Sequence, residues 1–448
     1  MTFRTLNADL ITAISRMPDN YFDAVLCDPP YHLTQNSRGG SPRKCSNQPG
    51  DGGKTPYGRH RVGTDTHSTG FMGQTWDGGD VAFRPETWEA VMRVMKPGAY
   101  LMAFGGSRTF HRLAVALEDA GFVLVDTLMW LFGSGFPKNH DISKAIDKRM
   151  KNQRPVIGIR KHPTLKDTSL LEESANAAHG GNSWSREWEI TVPGCSESAQ
   201  WAGYGTALKP AFEPILLCRK PGEKTYAENV QHWGCGALNI DGCRIPGEPP
   251  HHNYGRTSGA KAWAGQSDIP FSTPDNGRWP ANVLLDDAAA EMLDAQSGIR
   301  KSRANKAGTL RGRRKGNALG EFPEKITRDY PASAGGASRF FYVAKVSTKE
   351  RQAGMLDALN GHPTLKPIDL TRQLATLLLP PERMDVNPRR LLVPFSGAGS
   401  EMIGALLAGW EDVVGIEQSA EYAAIAERRL AHWINGFQRN AGVSRAIG

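Results

Sequence analysis

The stretch Phe22-Asp23-Ala24-Val25-Leu26-Cys27-Asp28-Pro29-Pro30-Tyr31 predicts a buried strand that ends in a stiff loop. The run 22–27 is short and mostly apolar, as expected of a strand covered on both faces. Prolines carry no backbone donor, so the ladder cannot continue past Asp28. In open α/β sheets, ligands bind at the carboxyl ends of the strands. Asp28 is therefore predicted to lie at the ligand-binding edge of a sheet.

The tetrapeptide 28–31 combines groups that suit a planar base with an amino group. The carboxylate of Asp28 and the carbonyl oxygen of Pro29 can accept the two amine hydrogens, and the ring of Tyr31 can stack on the base. Four residues recur by chance, so a β-turn with an incidental aspartate is an equal alternative from this motif alone.

A second stretch, Leu391 to Glu401, predicts a strand, a glycine turn and a helix. Gly397 and Gly399 would let a ligand approach the backbone, and the helix N-terminus would face that ligand with its positive dipole. The next predicted strand, Val413 to Ile416, ends in Glu417, and a carboxylate at this position suits a ribose diol. A dinucleotide fingerprint needs a third glycine where Met402 stands, which weakens an NAD-binding interpretation.

Together, the two motifs resemble the DNA amino-methyltransferases, which transfer a methyl group from S-adenosylmethionine to adenine N6 or cytosine N4. The catalytic tetrapeptide precedes the cofactor loop, which resembles the permuted beta class often found in restriction–modification systems. Leu131 to Lys138 is similar to a segment of phage and prophage members. The resemblance implies an α/β, Rossmann-like methyltransferase fold, with a mostly parallel sheet, helices on both faces and a large loop-rich insertion.

The resemblance also implies roles for individual residues. The catalytic residues would be Asp28, Pro29, Pro30 and Tyr31. The residues that bind S-adenosylmethionine would be Asp9 at the adenine end, Glu417 at the ribose, Thr364 and Lys366 near the carboxylate, and Phe395, Gly397 and Gly399 around the methionine portion. Val393 stands where the family usually has an aspartate, which puts the affinity for the cationic cofactor in question.

Charge divides the chain unevenly. The formal net charge is +8 over 448 residues, and residues 141–345 hold 29 Lys and Arg against 22 Asp and Glu. We therefore expect three regions: a catalytic half (1–140), a basic insertion that includes the target-recognition region (141–345) and a cofactor-binding half (346–448). Within the insertion, residues 209–221 are predicted to return to the core sheet.

The most basic stretch runs from Arg300 to Lys315 without an acid. The candidate DNA-binding residues are Arg300, Lys301, Arg303, Arg311, Arg313, Arg314 and Lys315. Interspersed glycines predict a flexible segment, and contacts to phosphates would give salt-dependent affinity with little sequence information. The alternative is a solvated loop with no partner.

The remaining sequence features exclude several classes of protein. No apolar run approaches the length of a membrane span, and the six cysteines show no pairing motif, so we expect a reduced cytoplasmic protein of a bacterial or phage-infected cell. Cys235 and Cys243 lie near histidines, but their spacing fits no standard zinc pattern, so we expect no metal. The expected partner is double-stranded DNA, and the sequence leaves the oligomeric state open.

Three hypotheses about function follow. Asp28 in the first position of the tetrapeptide favours adenine N6 as the acceptor, since cytosine-N4 enzymes of this kind more often carry serine there. The first alternative is the same fold acting on cytosine N4, or on an amide or RNA. The second alternative is a DNA-binding protein on a methyltransferase scaffold with weak or no turnover, for which Val393 is the only argument.

Overall fold

The fold is known from a computed structural model. It describes residues 1–31, 80–133, 135, 139–161, 187–247, 277–302, 310–311, 325–326, 333–345, 347–355, 360, 362, 364–382 and 387–445. The helices are α1 (Leu10–Ser15), α2 (Pro85–Val94), α3 (Phe110–Asp119), α4 (Ile142–Met150), α5 (Ser196–Gln200), α6 (Tyr226–Trp233), α7 (Asp287–Ser297), α8 (Thr348–Gln352), α9 (Ile368–Leu378), α10 (Ser400–Ala408) and α11 (Ala420–Arg445). No helix among these residues is long and apolar enough to cross a bilayer.

The strands form one large sheet and three small ladders. They are β1 (Thr2–Asn7), β2 (Phe22–Cys27), β3 (Met95–Phe104), β4 (Val123–Leu131), β5 (Val156–Lys161), β6 (Glu187–Thr191), β7 (Phe212–Arg219), β8 (Val283–Asp286), β9 (Arg300–Ser302), β10 (Leu310–Arg311), β11 (Lys325–Ile326), β12 (Ser333–Gly335), β13 (Tyr342–Ala344), β14 (Arg390–Pro394) and β15 (Asp412–Glu417). The large sheet has nine strands in the order β1-β15-β14-β2-β3-β7-β4-β8-β13.

The large sheet is parallel except for β7, which pairs antiparallel with both β3 and β4. Every residue of β2 is buried, although successive side chains of a strand point to opposite faces. Both faces of the sheet are therefore covered, as in other mostly parallel sheets. The α/β class and the mostly parallel sheet expected from the sequence are confirmed.

The core beside β2 explains why the local sequence forms these elements. Helix α2 begins with Pro85, whose fixed φ suits a first helical position, and buries Thr87, Trp88, Val91 and Val94 at helical spacing. These side chains join those of α1 and α3 in one apolar cluster against the alternate residues of β2 and β3. This layer supports the sheet directly beneath the loop that contains Asp28.

The chain divides into two compact units that do not follow the expected boundaries. One comprises residues 1–29, 81–133 and 212–448, and the other comprises 30–80 and 134–211. Strand β7 lies in the sheet, as predicted for 209–221. Within 141–345, β8 and β13 also belong to the large sheet and extend it beyond β4. These strands have only four and three residues, so their hydrophobic pattern is too short to stand out in the sequence.

The second unit has its own buried polar centre. The carboxylate of Asp147, on α4, accepts hydrogen bonds from the Gly194 N–H at 3.0 Å and from the Arg154 guanidinium. Asp141 caps the N-terminus of α4, and the ladder β5–β6 lies between Arg154 and Gly194 in the chain. These contacts hold the helix and the ladder together around a residue that is only 1% exposed.

Candidate active site

The carboxyl ends of four neighbouring parallel strands bring the predicted site residues to one edge of the sheet. Strand β14 pairs with β2 through Leu391–Ala24 and Leu392–Val25, so the loop at Asp28 and the loop after Pro394 are adjacent. Strand β15 pairs with β14 on the other side and ends at Glu417. Strand β1 pairs with β15, which places Asp9 beside Glu417. We call this the catalytic edge.

Asp28 is held by a buried lysine. The Nζ atom of Lys366 lies 2.7 Å from Oδ2 of Asp28, with the two side chains 5% and 16% exposed. Lys366 was expected near the carboxylate of the cofactor. In the structure it contacts Asp28 and lies over the ring of Phe104, because the segment before α9 lies at the carboxyl ends of β2 and β3. Thr364, two residues earlier, is exposed.

A second carboxylate reaches the same ammonium group. Glu213 lies 3.4 Å from Lys366 Nζ, and the ring of Phe104 lies beneath that nitrogen at 4.7 Å from the ring centroid. Glu213 comes at the start of β7, and only an antiparallel strand brings its amino end to the catalytic edge. In the sequence, Glu213 is a single acid before an apolar run. Such a pattern predicts a strand but does not show in which direction the strand runs.

The loop between β14 and α10 has the strained geometry expected of a ligand-binding turn. Gly397 and Gly399 have φ of +49° and +81°, and Phe395 has φ of +56°, a region that an aromatic residue rarely adopts. The Phe395 ring packs edge-on against Trp88 with centroids 6.4 Å apart. The surrounding core therefore maintains this turn, as predicted for the cofactor loop.

Glu417, at the end of β15, links this turn to its strand through hydrogen bonds. Its Oε2 atom accepts the Gly397 N–H at 2.8 Å, and its Oε1 atom accepts the Ser419 N–H at 2.8 Å. Burial raises the pKa of Glu417 above its ordinary value. Asp9, in the next strand connection, is exposed and accepts the Thr12 N–H at 3.0 Å as the N-cap of α1. Both acids lie at the edge where the sequence predicts the adenosine portion of the cofactor.

His362 belongs to this site although the sequence analysis assigned it no role. Its Nε2 atom is 2.9 Å from the position that a Cβ at Gly397 would occupy, and its ring lies 4.6 Å from that of Tyr422. Burial lowers the pKa of His362 to about 4, so the ring is neutral near pH 7. The signal available in the sequence was its position four residues before Lys366.

Two buried ionisable residues lie in or against the loop between β14 and α10 and the first turn of α10. Glu401 is 4% exposed, and burial, together with the nearby charge of Asp28, raises the pKa of its carboxyl to about 7. Arg429 is 1% exposed and donates to the Ala398 carbonyl and, at 3.3 Å, to Ser400 Oγ. The sequence analysis assigned neither residue a role, because an acid or an arginine within a helix does not show by its spacing that it is buried.

The arrangement fits S-adenosylmethionine. The glycines at 397 and 399 add no side chain of their own to this turn, and carboxylates lie near it, which suits a cation. Val393 is completely buried and pairs with Gly415 inside the sheet. An aspartate at this position would be a buried charge, whereas the acids present here lie at the ends of the strands.

Of the predicted DNA-binding residues, the structure describes Arg300 and Lys301 fully, and both lie away from the catalytic edge. Arg300 and Lys301 belong to β9, which pairs with β12, so they form a ladder and not the flexible segment expected. Helix α7 leads away from the carboxyl end of β8, and Ser338 before β13 binds Asp294 near the end of that helix. Arg300 and Lys301 therefore lie at the edge opposite Asp28. For Arg311 only the backbone is described, and Arg303, Arg313, Arg314 and Lys315 lie outside the described residues.

Comparisons with known proteins agree with this geometry. Residues 22–428 match the family of N6/N4 methylases described as DNA methylase. The chain is 24% identical over 244 residues to the Type II methyltransferase M.HindIII of Haemophilus influenzae, in a match that covers 52% of this chain and 63% of that protein. The chain thus spans somewhat less than two thirds of the length of this relative.

Solved structures give weaker similarities. The PvuII DNA methyltransferase, described as cytosine-N4-specific, is 11% identical with a TM-score of 0.42, covering 96% of this chain and 86% of that one. A putative DNA modification methylase of Thermus thermophilus, in complex with S-adenosyl-L-methionine, is 12% identical with a TM-score of 0.35, covering 97% and 96%. Both scores are below 0.5, so no residue role or substrate is carried over from either structure.

Proposed function

Because the chain belongs to the family of N6/N4 DNA methylases, we propose that it transfers a methyl group from S-adenosylmethionine to adenine N6 in double-stranded DNA. S-adenosylmethionine, the methyl donor expected from the sequence, is supported by the family. The observation that carries the proposal is the pairing of β14 with β2, which sets the Asp28 loop beside the cofactor loop. An acceptor amine at Asp28 and a methyl donor at Gly397 would therefore be neighbours.

The residues of this edge would act by binding and orienting the amine. The carboxylate of Asp28 and the carbonyl of Pro29 would accept its two hydrogens, which draws the nitrogen lone pair out of the ring and directs it toward the donor. When bound, S-adenosylmethionine supplies an electrophilic methyl group. Holding both reactants in attack geometry would account for much of the rate. No covalent intermediate with the enzyme is needed.

The target base must leave the duplex to reach Asp28. Unpairing and unstacking one base costs about a few kcal/mol, and stacking on an aromatic ring in the pocket would offset part of that free energy. We assign this stacking to Tyr31, and we include Pro30 because it stiffens the loop between the two residues.

Adenine N6 is the preferred acceptor on the strength of Asp28 in the first position of the tetrapeptide. The same acceptors would serve cytosine N4 equally well, so cytosine is the second candidate. The third candidate is a DNA-binding protein without turnover, and Val393, which is buried inside the sheet, is the only feature in its favour.

DNA contact would come from more than one surface. The basic stretch at 300–315 remains a candidate for phosphate contacts. Helix α4 offers another candidate, because Lys144 and Lys148 lie one turn apart on its exposed side and the exposed Lys151 caps its C-terminus. We propose that this face, the α4 lysine stripe, contacts the DNA backbone.

The proposal can be tested by transfer of a labelled methyl group from S-adenosylmethionine to duplex DNA, with Asp28→Ala as the control. We expect label in the DNA with the native protein and none with the variant, although both bind DNA. Digestion to nucleosides should yield N6-methyladenine, whereas N4-methylcytosine would support the second candidate. DNA binding without transfer by the native protein would contradict the proposed activity.

A further inference from the structure

We propose that Lys366 and Glu213 are positioning residues that hold the Asp28 carboxylate in place to accept hydrogen bonds from the target amine. The inference rests on the proposed function and adds two residues to it. In this arrangement neither residue touches the base or the methyl donor. Both act through Asp28, which is the catalytic residue.

The geometry fixes Asp28 from one side. Lys366 Nζ lies 2.7 Å from Asp28 Oδ2 and 3.4 Å from Glu213, and the Phe104 ring lies below it. A carboxylate offers about four acceptor sites, and Lys366 occupies one of them. The ammonium group therefore sets the rotation of the Asp28 carboxylate without using its whole accepting capacity.

The charge state matters as much as the position. Burial alone would lower the pKa of Lys366, but the carboxylates of Asp28 and Glu213 raise it overall above its ordinary value. Lys366 therefore remains a cation at working pH and cannot serve as a base. As a cation, Lys366 can only donate to Asp28, so it orients that carboxylate as a hydrogen-bond acceptor.

Glu213 sets the net charge of the cluster that it forms with Lys366 and Asp28. One ammonium between two carboxylates leaves a net charge of −1, so Lys366 does not neutralise Asp28 completely. If Glu213 were neutral, the full attraction of Lys366 would fall on Asp28 and make it a weaker acceptor for the amine. The antiparallel direction of β7 is what brings this second acid to the catalytic edge.

A purely structural ion pair is the alternative. Removing one partner of a buried pair is destabilising because it leaves the other charge uncompensated. The two interpretations differ in what the folded variant can do. A structural pair would change only the stability, whereas a positioning pair changes the rate of methyl transfer by the folded, fully loaded enzyme.

The test compares Lys366→Met, Lys366→Arg and Glu213→Gln in single-turnover methyl transfer with saturating S-adenosylmethionine and DNA. We expect Lys366→Met to slow transfer about 100-fold, with dissociation constants for both substrates within about threefold of the native values. Lys366→Arg keeps a charged donor, so it should transfer the methyl group about tenfold faster than Lys366→Met. Glu213→Gln, which keeps Lys366 in place, should slow transfer about fivefold to tenfold.

Lys220→Met is the matched control. Lys220 is half-buried, and its Nζ donates to Asn20 Oδ1 at 2.9 Å and to the carbonyls of Met92 and Met95 at 2.9 and 2.6 Å. It follows the end of β7, on the edge opposite Asp28. This variant should lower the melting temperature and leave the rate of transfer by the folded protein unchanged.

The outcomes separate the two proposals. A folded Lys366→Met protein with a native transfer rate would overturn the positioning role. A loss that appears only as weaker binding of S-adenosylmethionine would also overturn it, since Lys366 would then act on the cofactor. If Lys366→Met does not fold, Lys366→Arg and Glu213→Gln decide the question. Absence of transfer by the native protein would instead refute the proposed function.

Discussion

The Nε2 atom of His362 lies 2.9 Å from the position that a Cβ at Gly397 would occupy. This proximity joins two segments of the cofactor site, the stretch before α9 and the turn after β14. It means that Gly397 is required for two reasons, its φ of +49° and the absence of space for any side chain.

Gly397→Ala should therefore weaken the binding of S-adenosylmethionine at least about tenfold, measured by calorimetry. The left-handed backbone costs an alanine roughly 1 kcal/mol, and the contact with His362 adds to that free energy. Gly203→Ala is the matched control, since Gly203 has φ of +85° but nothing within 4 Å of its Cβ position. Equal affinity in Gly397→Ala and the native protein would mean that the cofactor does not lie against this turn.

Glu417→Gln should raise the dissociation constant of S-adenosylmethionine about 10-fold to 100-fold. The substitution replaces one of the two acceptors of the Gly397 and Ser419 N–H groups with a donor and removes the charge proposed to face the ribose. Glu411→Gln is the control on the opposite edge, where Glu411 accepts the Arg389 N–H at 2.8 Å. It should lower stability and leave the affinity for the cofactor unchanged. If Glu411→Gln weakened cofactor binding and Glu417→Gln did not, the cofactor would bind elsewhere.

Glu401→Gln should flatten the dependence of stability on pH between about 4.5 and 7. Burial raises the pKa of Glu401 to about 7 in the folded protein, so the folded state holds its proton more tightly than the unfolded chain. Stability from this group is fully present below the unfolded pKa and is lost as pH rises through 7, by up to about 3 kcal/mol.

Urea denaturation at pH 5 and pH 8 measures this effect. The native protein should lose more free energy of unfolding between the two values than Glu401→Gln does. An equal loss in both proteins would show that Glu401 ionises at an ordinary pH, with Arg429 compensating its charge completely.

Neutralising the α4 lysine stripe should reduce the salt dependence of DNA binding. The variant is Lys144→Gln, Lys148→Gln and Lys151→Asn, since Lys151 has φ of +57° and asparagine tolerates that conformation. If all three lysines contact phosphates, the slope of log K against log salt should become less negative by about 2.7.

Two sets of variants provide the controls for this slope. Arg16→Gln, Lys224→Gln and Arg428→Gln remove the same charge from exposed positions outside α4 and should leave the slope nearly unchanged. Arg300→Gln with Lys301→Gln tests the stretch first predicted to bind DNA. If the charge-matched variant outside α4 changed the slope as much as the α4 variant does, the result would argue against contact by the stripe.

Local sequence was sufficient to predict the elements of the catalytic edge. An apolar run stopped by two prolines predicted β2 and the place of Asp28, and glycines between an apolar run and a helix predicted the turn at 397–399. Glu417 followed from the same rule, as the residue that ends a strand. These inferences succeeded because each depends on chemistry within about ten residues of chain.

Local sequence patterns do not predict contacts between segments that are far apart in the chain. Arg300 and Lys301 were correctly recognised as basic, but their location depends on the course of α7 and on the pairing of β9 with β12. His362 and Glu401 join the site through packing of segments that are separate in sequence. The contact of Lys366 with Asp28 depends on such packing as well, and its predicted place near the cofactor carboxylate stays a prediction.

The sequence by itself determined which groups can accept an amine and where the backbone can admit a cofactor, because proline, glycine and strand-ending acids impose those properties locally. Only the tertiary structure decided which charges surround Asp28. Lys366 reaches it across 338 positions of chain, and Glu213 reaches it because β7 runs against its neighbours. The direction of a strand and the pairing of buried charges are settled by the whole sheet, since burial requires each charge to find a partner there.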